Sequence, residues 1–172
     1  MFRLLIERKF PKFILSLLLN LYTKQKVRVG WNGCNYSDNF SVTNGVRQGG
    51  VLSPILFTVY LDGLLTLLCK SGVGCYIGKM FVGALAYADD ITIIAPTLYA
   101  CRVLLRLCEK FASEYDIQFN VEKSYVIAHT TENMPIPIKL YLNYRLLLVV
   151  DWLKHLGHVI NSKLNDVSEV EA

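Results

Sequence analysis

The sequence predicts an α+β fold, an antiparallel sheet with helices packed on one side. Three observations predict it. Helical and hairpin-like segments alternate without the regular spacing of β-α-β units. Residues 54–68 and 98–115 have the apolar patterning of a buried helix and an amphipathic helix. The other apolar runs are short, rich in β-branched and aromatic residues, and bounded by Gly, Asn or Pro.

Pro11 to Tyr22 reads as a short helix with apolar Phe13, Ile14, Leu17, Leu18 and Leu21. Residues 27–29 and 40–42 read as the arms of a hairpin turning through Trp31-Asn32-Gly33. Ser53 suits an N-cap and Pro54 the first helical position. The helix that follows, 54–68, is apolar nearly all round, with a polar stripe at Thr58, Asp62 and Thr66. Lys79 to Ala95 predicts two strands joined at Asp89-Asp90, with Tyr87 and Asp89 on one face.

Pro96 stops that pair, and residues 98–115 follow as an amphipathic helix. Leu104, Cys108, Phe111 and Tyr115 face inward, while Arg102, Arg106, Glu109, Lys110 and Ser113 face water. Residues 117–119 and 125–129 read as strands, Met134-Pro135-Ile136-Pro137 as a breaker, and 140–142 and 146–153 as further strands. One domain over 1–164 and an acidic, frayed tail over 165–172 complete the reading.

Composition narrows the function classes. The chain has 172 residues, 53% of them hydrophobic, and a mean hydropathy of +0.35. The longest apolar run, 51–69, is interrupted by Pro54 and Asp62. A membrane span needs about 20 mostly apolar residues, so no membrane association is expected. Cys34, Cys69, Cys75, Cys101 and Cys108 form no C-x-x-C pair. They read as reduced thiols in an intracellular protein, nuclear or cytoplasmic, without disulfides. Residues 1–28 carry seven Lys/Arg against the single Glu7. Such a segment suits phosphate contacts or a solvated helix face about equally.

The sharpest feature is Tyr87-Ala88-Asp89-Asp90, two acids between the apolar runs 81–86 and 91–94. Strands disfavour Asp. An isolated Asp pair is more often a solvated turn, but hard divalent ions take carboxylate oxygens. A second segment changes the weighing. Asn44-Gly45-Val46-Arg47-Gln48-Gly49-Gly50-Val51-Leu52-Ser53-Pro54 is a polar, glycine-rich loop feeding a helix, where glycine admits close backbone approach to a ligand.

Together these segments resemble reverse transcriptases, most closely those of non-LTR (LINE-type) retrotransposons. Arg47 to Phe57 is similar to the family's motif B and Tyr87 to Asp90 to motif C. Phe119 to Ser124 is similar to motif D, and Lys154-His155-Leu156-Gly157-His158 to motif E. The resemblance implies a palm-type antiparallel sheet, part of a right-hand polymerase fold. It also implies an RNA template, a DNA primer, dNTPs and two Mg²⁺ ions, with Mn²⁺ as the alternative.

The resemblance further implies roles for particular residues. Asp89 and Asp90 are the expected catalytic residues and metal ligands. Gln48 and Gly49 would approach the nucleotide and template base. Arg47 would pair with phosphate, or is an exposed loop arginine. Tyr87 would pack near the primer end or the nucleotide, or is a core tyrosine. Lys123 would stand near the triphosphate as a proton donor, or is a surface lysine. Leu156 and Gly157 would form the primer-grip turn. His155 and His158 flank that turn and receive no chemistry.

One departure matters. The family's chemistry uses a further aspartate from motif A, and none of Glu7, Asp38 or Asp62 has the expected apolar-strand surroundings. The expectation is a partial domain that is inactive by itself. The alternative is a palm remnant that binds nucleic acid without chemistry.

Overall fold

The computed structural model describes residues 2–33, 35–42, 49–129 and 137–163. It has α+β composition and divides into two compact units. The first comprises residues 1–63 and 86–90, and the second 64–85 and 91–172.

In the first unit, α1 (Phe2–Glu7) and α2 (Lys12–Thr23) form a helical pair. The chain turns between them with Lys9 in the left-handed region, φ 58°. The Phe10 amide donates to the Leu5 carbonyl, 3.1 Å, closing the end of α1. Pro11 then caps α2 by backbone geometry alone, with no side-chain bond. Leu5, Leu18, Leu56 and Val59 make this unit's core.

A ribbon follows α2. β1 (Lys26–Val27) pairs antiparallel with β4 (Phe40–Ser41), with Val27 opposite Phe40. Inside it, β2 (Gly30–Trp31) pairs with β3 (Asn35–Tyr36). Asn32 and Gly33 take φ of 50° and 74° at the tip, the backbone that an Asn-Gly pair adopts readily.

α3 (Ser53–Cys69) starts one residue before the predicted helix. The Leu56 amide already donates to the Leu52 carbonyl, 2.9 Å, so Leu52 rather than Ser53 occupies the cap position. Leu56, Val59, Leu61, Leu64 and Leu68 are buried, while Thr58, Asp62 and Thr66 are exposed, as the stripe predicted.

In the second unit, α4 (Leu98–Tyr115) matches the predicted span. The Thr97 hydroxyl caps it, accepting from the Ala100 amide at 3.1 Å. Leu104, Cys108 and Phe111 join Leu64 and Leu68 in one core cluster. Leu140, Leu142 and Leu147 form a second. Burial pushes the Cys108 thiol up to about 12, assisted by the Glu109 carboxylate.

The strands differ from the predicted sheet. Those described form seven separate two-stranded ladders rather than one continuous sheet. β5 (Tyr76–Ile77) pairs with β6 (Met80–Phe81), and β7 (Ala84–Tyr87) with β8 (Asp90–Ile93). β9 (Tyr125–Val126) pairs in parallel with β12 (Leu148–Val149), against the antiparallel expectation. β10 (Tyr141–Leu142) pairs with β11 (Arg145–Leu146), and β13 (Trp152–His155) with β14 (His158–Asn161). Among the described residues no strand exceeds four residues, and such short runs are divided by turns before a ladder can extend.

Other strand predictions fail or shorten. Residues 146–153, read as a strand, are divided among β11, β12 and β13. Residues 117–119 are irregular because the Ile117 amide closes the end of α4 on Ala112, 2.9 Å. The strand predicted over 125–129 shortens to β9. The breaker at 134–136 and the tail over 165–172 lie outside the described residues.

Candidate nucleotidyl-transfer site

The β7–β8 hairpin carries the paired aspartates. At its base, the Ile94 amide donates to the Gly83 carbonyl, 2.8 Å. Gly83 is buried, and a Cβ there would sit 2.5 Å from the Phe81 ring and 3.0 Å from the Cys75 nitrogen. Only glycine fits that approach. Ile91 and Ile93 pack against the second unit's core, anchoring the outgoing arm.

The turn consists of Ala88 and Asp89, with Asp90 opening β8. This corrects the predicted turn at Asp89-Asp90, and strand alternation does not run from Tyr87 to Asp89. Ala88 has φ of 50°. A side chain in that region costs about 1–2 kcal/mol, and such strain gathers at functional turns. Asp89 and Asp90 are exposed, and no described group bonds to either carboxylate. Tyr87 is 66% exposed, so it is no core tyrosine.

The two carboxylates are hard oxygen donors on consecutive residues, a chemistry that suits Mg²⁺ or Mn²⁺. Among the described residues, no three His, Cys, Asp or Glu side chains cluster. Two of the three other upstream acids, Glu7 and Asp62, are paired with arginines. Arg8 bonds Asp62, and Arg3 bonds Glu7 at 3.0 Å.

The other predicted residues are distributed over both units. Gly49 is exposed with φ of 76°, a conformation suited to glycine, in the same unit as the hairpin tip. Arg47 and Gln48 lie outside the described residues. A cleft of about 580 Å³ lies beside this loop, lined by Tyr22, Lys24, Lys26, Gly50 and Ser53 among others.

Lys123 ends a 3-10 turn, Val121–Lys123, in the second unit, and its side chain is exposed. Leu156 and Gly157 do form a two-residue turn between β13 and β14, with φ of 51° and 89°. Positive φ at both positions is the tight hairpin geometry that follows strand twist.

Sequence reasoning missed one contact. The Thr92 hydroxyl and His155 Nε2 lie 3.3 Å apart, joining β8 to β13. Nothing in either segment announces a partner 63 residues away.

The structure thus presents two exposed carboxylates on a hairpin, and Gly49 and Gly50 shortly before α3. The sequence matches the reverse transcriptase (RNA-dependent DNA polymerase) family over residues 2–160. The chain belongs to that family, in its non-LTR retrotransposon branch.

Among its relatives is the retrovirus-related Pol polyprotein from type-2 retrotransposable element R2DM of Drosophila melanogaster. The two are 32% identical over 117 residues, 68% of this chain and 11% of that protein. A Pol polyprotein from a type-1 R2 element of Nasonia vitripennis is 33% identical over 84 residues, 49% of this chain and 8% of that protein. One from Popillia japonica is 29% identical over 127 residues, 73% of this chain and 17% of that protein. The chain thus spans a small part of the relatives it matches. The family implies a polymerase palm, with which the α+β composition agrees. Among the described residues, no helix is long and apolar enough to cross a membrane.

Proposed function

We propose that this chain is part of a reverse transcriptase that transfers nucleotides from dNTPs to a DNA primer on an RNA template. The observation that carries the reading is the exposed Asp89–Asp90 pair on an apolar hairpin, in a chain of this family. Two bound Mg²⁺ ions would neutralise charge on the transferring phosphoryl group and orient the attacking and leaving oxygens.

Asp89 is the principal ligand and Asp90 the second. Tyr87, exposed beside them, packs against the primer end or the nucleotide. Arg47, Gln48 and Gly49 line the approach of nucleotide and template base. Lys123 serves the triphosphate, and the Leu156–Gly157 turn supports the primer. These side chains bind and orient, and orientation supplies much of such catalysis. The palm-type sheet and the intracellular setting, nuclear or cytoplasmic, belong to the same reading.

The 172 residues alone are inactive in this reading, because two carboxylates do not complete a two-ion site. A second reading, nucleic-acid binding without chemistry, is favoured by Lys24 and Lys26 on the cleft.

The test is primer extension on an RNA template with Mg²⁺ and dNTPs. It compares the 172-residue chain with a chimera in which the 117 residues that align with the Drosophila relative replace that relative's own stretch. The chimera extends the primer, its Asp89→Asn form loses extension by orders of magnitude, and the isolated chain does not extend. A chimera that extends equally well with Asn at position 89 would contradict the reading.

A further inference from the structure

The ribbon of residues 26–41 exposes more aromatic surface than a hairpin needs. Trp31 is 70% exposed, Tyr36 55% and Phe40 48%. The ribbon and its approach also carry three cations, Lys24, Lys26 and Arg28, against one acid, Asp38. The Arg28 guanidinium lies over the Tyr36 ring, 4.0 Å from its centroid. Gly30 makes room for that ring: a Cβ there would meet Tyr36 at 3.2 Å.

This arrangement holds the Arg28 cation in place while Trp31 projects at the tip. Lys24 and Lys26 also line the cleft beside Gly50. Cations therefore run from the glycine loop onto the ribbon, with an aromatic ring at the far end. Lys26 and Trp31 are five residues apart.

We propose that this ribbon is a stacking platform for single-stranded nucleic acid: Trp31 stacks on a base, while Lys26 and Arg28 meet backbone phosphates. Aromatic rings beside cations are the chemistry of sequence-tolerant single-strand binding. The occupant is fixed by charge complementarity, since a cationic, aromatic surface fits a polyanion with stackable faces. The inference rests on the nucleic-acid reading above, which concerns Asp89 and Asp90, whereas this site lies on the ribbon.

The experiment uses the 172-residue chain with Trp152→Phe, which leaves Trp31 as the lone tryptophan. A single-stranded 12-nucleotide DNA is titrated at several salt concentrations, next to an abasic strand of the same length. Trp31 fluorescence is quenched by the base-bearing strand and not by the abasic one. Trp31→Ala weakens binding about 5-fold or more, while Trp31→Phe retains a ring and most of the affinity. Circular dichroism verifies that both variants are folded.

Equal binding by Trp31→Ala, read from the anisotropy of a labelled strand, or no quenching of Trp31 in the parent, would overturn the inference and leave the reverse transcriptase reading to its own extension assay. A change in sedimentation mass of Trp31→Ala without any strand effect would overturn it in favour of a protein interface. Absence of salt-dependent binding by the parent would also overturn it.

Discussion

Replacing Leu104 by Ala tests whether α4 organises the second unit. Leu104 is 0% exposed and clusters with Leu64, Leu68, Cys108 and Phe111. Transfer of a buried leucine side chain from water accounts for about 1.5–3 kcal/mol. Truncation also leaves a cavity, and the combined cost runs about 2–5 kcal/mol, depending on how far the walls collapse. Collapse is limited here. Leu104 Cδ1 lies 3.5 Å from the position a Cβ would take on Gly74, so chain already closes in on that side.

A cost of about 3 kcal/mol follows. With a urea dependence of about 2 kcal/mol per molar, the unfolding midpoint falls by about 1.5 M. Ile55→Ala is the control, because Ile55 is 58% exposed. Such surface changes stay within about 0.5 kcal/mol. Equal midpoints for the two variants would refute the packing argument.

Three further outcomes follow from particular contacts. Thr97→Ala removes the hydroxyl that accepts from the Ala100 amide; it lowers stability by about 1 kcal/mol, and Thr97→Asp restores it, both read by urea unfolding. Ala88→Val places a β-branched side chain at φ 50° and lowers the melting temperature, whereas Ala88→Gly does not, as calorimetry would record. Cys108, pushed up to about 12, stays a neutral thiol at pH 9 and resists iodoacetamide while exposed Cys69 reacts, measured by peptide mass spectrometry. The folded thiol keeps its proton where the unfolded one, near 9.0, loses it, so this group's contribution to stability falls as pH rises from about 9 to 12.

What was legible in the sequence tracks how local the determining physics is. α4 has a polar cap, a clean amphipathic stripe and a closing turn, all within its own residues, and its span is recovered. The two-residue turn at Leu156–Gly157 was expected only through the resemblance to motif E, not from its neighbours. The hairpin over 84–93 was expected, but its turn falls one residue earlier. The register depends on Ala88 accepting φ of 50°, a conformation alanine rarely adopts and composition does not announce. Strand pairing fared worst. The parallel match of β9 with β12 is fixed by contacts distant in sequence.

The same limit applies to the site. Asp89 and Asp90 stood out because strands disfavour acids between apolar runs; the structure places both, exposed, at the hairpin's tip. Tyr87 did not stand out, since an aromatic beside an apolar run is as often buried as exposed. The bond between Thr92 and His155 had no local signature, because it links two hairpins through side chains that alone are ordinary. Gly83 was also silent: its need for a bare Cα arises from the Phe81 ring and the Cys75 backbone packed on it.

The central claim is that the Asp89–Asp90 tip holds divalent cations. The direct test is paramagnetic broadening in the amide spectrum of the 172-residue chain as Mn²⁺ is added. The account predicts that Ala88, Asp89 and Asp90 broaden first, and that Asp89→Asn abolishes the effect there while the rest of the spectrum is unchanged. Broadening that starts elsewhere, or that persists at the tip in Asp89→Asn, would contradict it.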